Sequence, residues 1–338
     1  MTYDYAHLIC FSPTHSSHMI GETVLQGLGT GHVSETDLTY EKPEENLTIH
    51  SGITVIVVPV YGGRIAETAL ERMEGIYGQD SPAVAVVVYG NRDYDDALLE
   101  LRDWCVAHGF VPVAGAAFIG EHSYSRPDRP IAGGRPDNPD LQKARAFGEQ
   151  VGRLLNRFQT LDEVAPIVVK GNFPYKVKGP KTPQTPETVA ELCTQCGFCI
   201  GICPVQAIRL EEEIVSDAGR CIKCCACVKQ CPNEARLFET PYTDLLFKNF
   251  STRREPEIFL CHETFFILAG GKLLYRRIHS FGQSGFFYPG RSQLYGFTTG
   301  QNAGKGLVAY RPSILSCRRY DPVPGFSGRC GYPPAFSL

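Results

Sequence analysis

The run Cys193-Thr194-Gln195-Cys196-Gly197-Phe198-Cys199-Ile200-Gly201-Ile202-Cys203-Pro204 returns at an offset of 28 as Cys221-Ile222-Lys223-Cys224-Cys225-Ala226-Cys227-Val228-Lys229-Gln230-Cys231-Pro232. Four cysteines keep the same spacing in both runs, each set ends in Cys-Pro, and Ala207 is matched by Ala235. One short unit is used twice. Of the 14 cysteines in 338 residues, nine lie between Cys193 and Cys231, a density that points to metal ligation in a reducing compartment. Two-residue spacings let a tight loop bring three soft thiolates onto one small inorganic object, and the fourth ligand must come from elsewhere. Structural zinc is the competing reading of Cys-x2-Cys pairs. Zinc sites seldom add a third cysteine at the same spacing and a Cys-Pro, twice over. Cys225 breaks the pattern and reads as a passive buried thiol.

Upstream, residues 1–165 alternate β-branched runs with helical patterns. Tyr5–Phe11, Val33–Leu38, Ile53–Val58, Ala83–Tyr89 and Phe110–Phe118 read as strands, and Ser17–Leu28, Arg64–Tyr77, Tyr94–His108 and Pro139–Phe158 as helices. Three of the strands are almost uniformly apolar, as a parallel sheet covered by helices on both faces requires. The expectation is a five-stranded doubly wound α/β domain, which binds ligands at the carboxyl ends of its strands. No G-x-G-x-x-G follows any of those strands. The first loop is instead hydroxyl-rich, Ser12-Pro13-Thr14-His15-Ser16-Ser17, and opens a helix, so it reads either as a phosphate cradle or as a Ser-rich N-cap. Tyr61-Gly62-Gly63 and Tyr89-Gly90-Asn91-Arg92-Asp93-Tyr94 each set aromatic and glycine residues just past an apolar strand, where a planar ring is sandwiched.

Residues 166–187, rich in Pro, Gly and Lys, read as a linker, and residues 261–338, with nine Lys or Arg against Glu263 and Asp321, as an atypical, poorly ordered tail or a small docking module. A formal net charge of −3 gives no electrostatic reason to bind nucleic acid. The longest apolar runs are too short for a membrane span, and the first residues lack a basic, apolar leader, which sets the expectation of a cytoplasmic protein.

Cys193–Phe238 resembles the bacterial dicluster ferredoxins, with both motifs complete. The resemblance implies two low-potential [4Fe-4S] clusters, one held by Cys193, Cys196, Cys199 and Cys231, the other by Cys221, Cys224, Cys227 and Cys203. The loops of the first domain resemble the flavodoxin family, and residues 1–260 are similar to the flavodoxin–ferredoxin fusion proteins of anaerobes. That resemblance implies FMN, with its phosphate at Ser12, Thr14, Ser16 and Ser17 and its isoalloxazine against Tyr61, Gly62, Gly63, Gly90, Asn91 and Tyr94. The family usually has glycine where His15 stands, and the segment Ala117–Ser123 also resembles the one after the fifth strand in these fusions, so His122 either approaches the flavin or has a structural role. Asp93, Asp95 and Asp96 either lower the flavin potential from nearby or complement the N-terminus of the following helix. The organisation expected is a flavodoxin-like domain over residues 1–165, a linker over 166–187, a small α+β dicluster ferredoxin domain over 188–240, a C-terminal extension over 241–260 and the tail. The function expected is electron transfer between FMN and the clusters, exchanging with redox protein partners or a small-molecule acceptor. A flavin-dependent reductase of a small molecule and a redox sensor are the rivals. No nucleophile or acid/base pair is identifiable, which favours a carrier over a dedicated enzyme.

Overall fold

A computed structural model describes residues 1–79, 81–165, 167–180, 182–261, 266–269 and 272–275. Five parallel strands form the first domain: β1 (Tyr5–Cys10), β2 (His32–Asp37), β3 (Ile53–Tyr61), β4 (Ser81–Tyr89) and β5 (Phe110–Ile119). Their order in the sheet is β2-β1-β3-β4-β5, the flavodoxin-like doubly wound order. Register follows the apolar runs, with Ala6 beside Ile53, Thr54 beside Ala83 and Ser81 beside Phe110. Every residue of β4 is buried, because the sheet is covered on both faces. Alternate side chains of one strand therefore serve two cores: Val55, Val57, Val84 and Val86 on one face, Ile56, Val58, Ala85 and Val87 on the other.

Helices α1 (Ser16–Leu28) and α4 (Asn138–Leu155) cover the first face. They approach so closely that a Cβ on Gly27 would stand 2.1 Å from the Arg145 carbonyl oxygen, and one on Gly148 would stand 2.1 Å from that of Val24. Helices α2 (Glu67–Met73) and α3 (Ala97–Ala107) cover the second. The helix expected over Arg64–Tyr77 is shorter than its pattern. Arg64–Ile65 folds back on the end of β3, Gly75 takes φ +90°, and Ile76–Gly78 pairs with Leu47–Ile49.

The cysteine-rich region is built from the hairpin Ile208–Leu210 with Ile214–Ser216, the pair Glu187–Thr188 with Arg236–Leu237, and two single-turn helices, α5 (Phe198–Gly201) and α6 (Ala226–Lys229). The repeat is a repeat in space as well. Gln195 and Gly197 take left-handed φ of 53° and 73°, and their counterparts Lys223 and Cys225 take 57° and 58°. The chain then returns to the first domain. Helix α7 (Pro241–Phe250) buries Leu246 and leads into β6 (Glu257–Leu260), which lies antiparallel on the outer edge of β5. Cys261, placed with the tail by composition, is buried in the first core and donates its N–H to Val113 at 3.0 Å. Phe266–Ala269 pairs with Lys272–Tyr275; the rest of the expected tail lies outside the described residues. Among the described residues no helix is long and apolar enough to cross a membrane.

Candidate functional site

At the carboxyl ends of β1, β3, β4 and β5 the following loops enclose a cleft of about 330 Å³. The hydroxyl loop is its floor. Ser12 donates its N–H to Thr39 Oγ1 at 2.9 Å, and its Oγ accepts the His18 N–H at 3.0 Å, which fixes the entry to α1. His15, at φ +64°, sits in the position before the helix that glycine occupies without strain. Ser12, Thr14, Ser16 and Ser17 all line the cleft at this N-terminal end, where helix N–H groups and the helix dipole favour an anion.

Tyr61, Gly62 and Gly90 line the cleft as expected, whereas Gly63, Asn91 and Tyr94 do not. Tyr94 is fully buried and donates its hydroxyl to Glu257 Oε2 at 2.7 Å, so it is a wedge under the loop and no ring-stacking partner. Asn91 donates to the carbonyls of Phe250 and Thr252 and holds the returning chain. A Cβ on Gly63 would collide with Asp95. Side chains outside the expected contact set complete the lining: Tyr89, Ser123, Tyr124, Tyr242 and the cations Arg92, Lys176 and Lys223. Tyr124 lies five residues past the end of β5; Tyr242 and Lys223 come from more than a hundred residues beyond β5, outside any local pattern.

The carboxylates of the third loop are committed elsewhere. Asp96 accepts the N–H groups of Asn172 and Lys176 at 2.7 and 2.6 Å; burial works to raise its pKa, yet these bonds carry it below the usual range. Asp95 pairs with Arg92 and Lys176, and Asp93 with Lys170. None of the three lines the cleft, and their charge is neutralised by the segment expected to be a free linker. The expectation that they depress a flavin potential is therefore replaced by a structural role. His122 lines the cleft, with Gly90 leaving it room, since a Cβ there would lie 2.4 Å from the imidazole. Burial, then Lys229 and Arg92, lower its pKa to about 4, and its Nδ1 accepts the Tyr124 N–H at 3.0 Å. The neutral ring thus carries its proton on Nε2.

The thiols separate into two neighbourhoods. Burial raises the pKa of Cys221, Cys224 and Cys227, and Cys203 adds to the rise at all three, while Cys199 is raised by burial and then by Cys231 and Cys193, against the opposing charge of Arg236. Cys203 thus stands with the second run and Cys231 with the first. The two halves also match in a local hydrogen bond, with Cys203 Sγ accepting the Ala207 N–H at 3.2 Å and Cys231 Sγ the Ala235 N–H at 3.3 Å. Cys196 is exposed, and among the described residues no three His, Cys, Asp or Glu side chains converge to hold one metal ion. Cys225 is 2% exposed, at the position that Gly197 occupies in the first run.

The two regions touch at the cleft. Ile222 and Lys223, between Cys221 and Cys224, form part of its wall. Gln230 donates to the Pro13 carbonyl at 3.0 Å and meets His15 Nε2 at 3.3 Å, Lys229 donates to the Ser125 carbonyl and pairs with Glu121, and Tyr124 packs on Phe238 with centroids 4.9 Å apart. Burial, then the nearby thiols of Cys224 and Cys225, push the Tyr61 hydroxyl well above its ordinary pKa, which places this tyrosine between the cleft and the second thiol set.

Residues 186–209 match the family model of the 4Fe-4S binding domain. No curated protein matches the chain. Among solved structures it is similar to a flavodoxin from the domain Archaea, at 12% identity over 45% of this chain and 99% of that one, with a TM-score of 0.30. It is similar also to a Streptococcus pneumonia TIGR4 flavodoxin (15%, 44% and 99%, TM-score 0.33) and to the rubredoxin oxygen:oxidoreductase of the anaerobe Desulfovibrio gigas (11%, 46% and 36%, TM-score 0.30). The chain joins a flavodoxin-like α/β sheet to a 4Fe-4S binding, ferredoxin-type region.

Proposed function

We propose that this protein passes electrons between FMN in the cleft and two [4Fe-4S] clusters, one at Cys193, Cys196, Cys199 and Cys231 and one at Cys221, Cys224, Cys227 and Cys203. The carrying observation is that Ile222 and Lys223 stand between ligands of the second set and also wall the cleft. The donor set fits the nucleotide. The hydroxyls of Thr14, Ser16 and Ser17 with the first N–H groups of α1 would take its phosphate, Gly62 leaves room for a flat ring, and Tyr61 and Tyr124 offer aromatic faces. FMN supplies two-electron chemistry and each cluster one-electron chemistry, so their fusion makes a converter. Within it, the loops would shield the ring from water, His122 lines the cleft as a neutral imidazole, and Arg92, Lys176 and Lys223 would offset negative charge accumulating there.

Fusion makes the transfer intramolecular, with an effective concentration set by the contacts and not by diffusion. The test is rapid-mixing spectroscopy of anaerobically loaded protein with limiting reductant. Redistribution between flavin and cluster absorbance is expected at a rate independent of protein concentration. A rate that rises in proportion to concentration would refute the reading.

A further inference from the structure

Arg236 is 3% exposed in the strand Arg236–Leu237, at the centre of the cysteine-rich region. Its terminal nitrogens are occupied: Nη1 donates to Thr188 Oγ1 at 2.6 Å and to the Ile214 carbonyl at 3.4 Å, and Nη2 donates to the Pro186 carbonyl at 2.9 Å and to Ser216 Oγ. Its Nε is buried and has no acceptor among the described protein atoms. Among the described residues no carboxylate pairs with this cation either. A buried guanidinium with a spare donor and no counter-ion needs an anion. The strand Arg236–Leu237 packs against α6, the helix that carries Cys227.

The residue that corresponds to Arg236 in the first half of the repeat is Ile208, buried and apolar. The device is therefore installed once in a molecule that is otherwise doubled. Resting on the reading that the two thiol sets hold clusters, we propose that Arg236 donates its Nε–H to the sulfur at the Cys227 corner and so gives the cluster of Cys203, Cys221, Cys224 and Cys227 a higher reduction potential than its repeat-related partner. A cation and an N–H···S bond stabilise the reduced, more negative cluster more than the oxidised one, which raises its potential. Since that cluster adjoins the cleft, the asymmetry favours holding an electron beside the flavin site.

Full-length wild type, Arg236→Gln and Arg236→Lys are reconstituted anaerobically, counted for iron and sulfide, and titrated potentiometrically with EPR detection. Cys203→Ser identifies the signal of the cluster concerned. In Arg236→Gln that potential is expected to move negative at unchanged iron content, with a smaller movement of the other; Arg236→Lys, which keeps the charge, recovers part of the shift. Unchanged potentials in iron-replete Arg236→Gln overturn the proposal. Because Arg236 also braces Pro186 and Ser216, pulsed EPR of reduced wild-type protein labelled with 15N-arginine gives a reading that needs no variant. A 15N coupling to a cluster is expected, and its absence overturns the proposal. A wild-type chain with iron for one cluster alone would instead refute the two-cluster reading on which the proposal rests.

Discussion

At His15 the backbone turns left-handed (φ +64°) immediately before α1, a conformation that glycine adopts freely and a β-branched residue resists. The His15 ring offsets part of that cost through Gln230. His15→Gly is therefore expected to change stability by no more than about 1 kcal/mol, and His15→Val to lose roughly 1–2 kcal/mol relative to it, as read by chemical denaturation. The same logic explains Cys225. It fills the left-handed position of Gly197, its burial keeps it inert, and the proposed ligand sets are complete without it, so Cys225→Ala should retain the full iron content. His122 gives a pH dependence with a definite sign. Its folded pKa of about 4 lies below the ordinary value of about 6.5, so between those pH values the unfolded chain binds a proton that the folded chain refuses. Its contribution to stability is complete above pH 6.5 and is lost as the pH falls to 4. His122→Gln should flatten that part of the stability profile; an unchanged slope would assign the dependence to other groups.

Helix α1 meets α4 with no space for a side chain at Gly148, so Gly148→Ala should destabilise the first domain by about 1–3 kcal/mol, measured by denaturant midpoint. In the cysteine-rich region Ile208 and Ile214 form a core too small to stand alone, with Cys199 and Cys227 packed against them. Removing iron by chelation should therefore abolish its structure while the far-ultraviolet signature of the sheet remains. How legible each element was in the sequence follows from what made it. The five parallel strands could be read because burial on both faces demands long apolar runs, and the doubled cysteine spacing announced itself. Helix α2 was overextended because its apolar period runs on through Gly75, where the backbone turns. Strand β6 carries only four residues, Glu257–Leu260, and owes its existence to the distant edge of β5. Ser12, Thr14, Ser16 and Ser17, which line the cleft together, could be read as one loop because they lie close in sequence. Tyr94 was misassigned because its loop buries one tyrosine and presents another, and the partner that decides this, Glu257, lies 163 residues away.

Across the described residues an α/β domain receives the edge strand of its sheet, β6, after the cysteine-rich insertion, so that chain order itself ties the two regions together. Truncation before Glu257 should strip the edge of β5, release Tyr94 and Asn91, and leave aggregated or unfolded protein, whereas truncation after Cys261 keeps every described contact that builds the cleft and the thiol sets. Solubility and circular dichroism of the two truncated chains distinguish these outcomes. The central claim, that one chain unites a flavin site with two four-thiol sites, is tested most directly by counting iron, acid-labile sulfide and FMN in a single sample of anaerobically prepared full-length protein. The account predicts about eight, eight and one per chain, and stoichiometric zinc without sulfide, or clusters without any bound flavin, would contradict it.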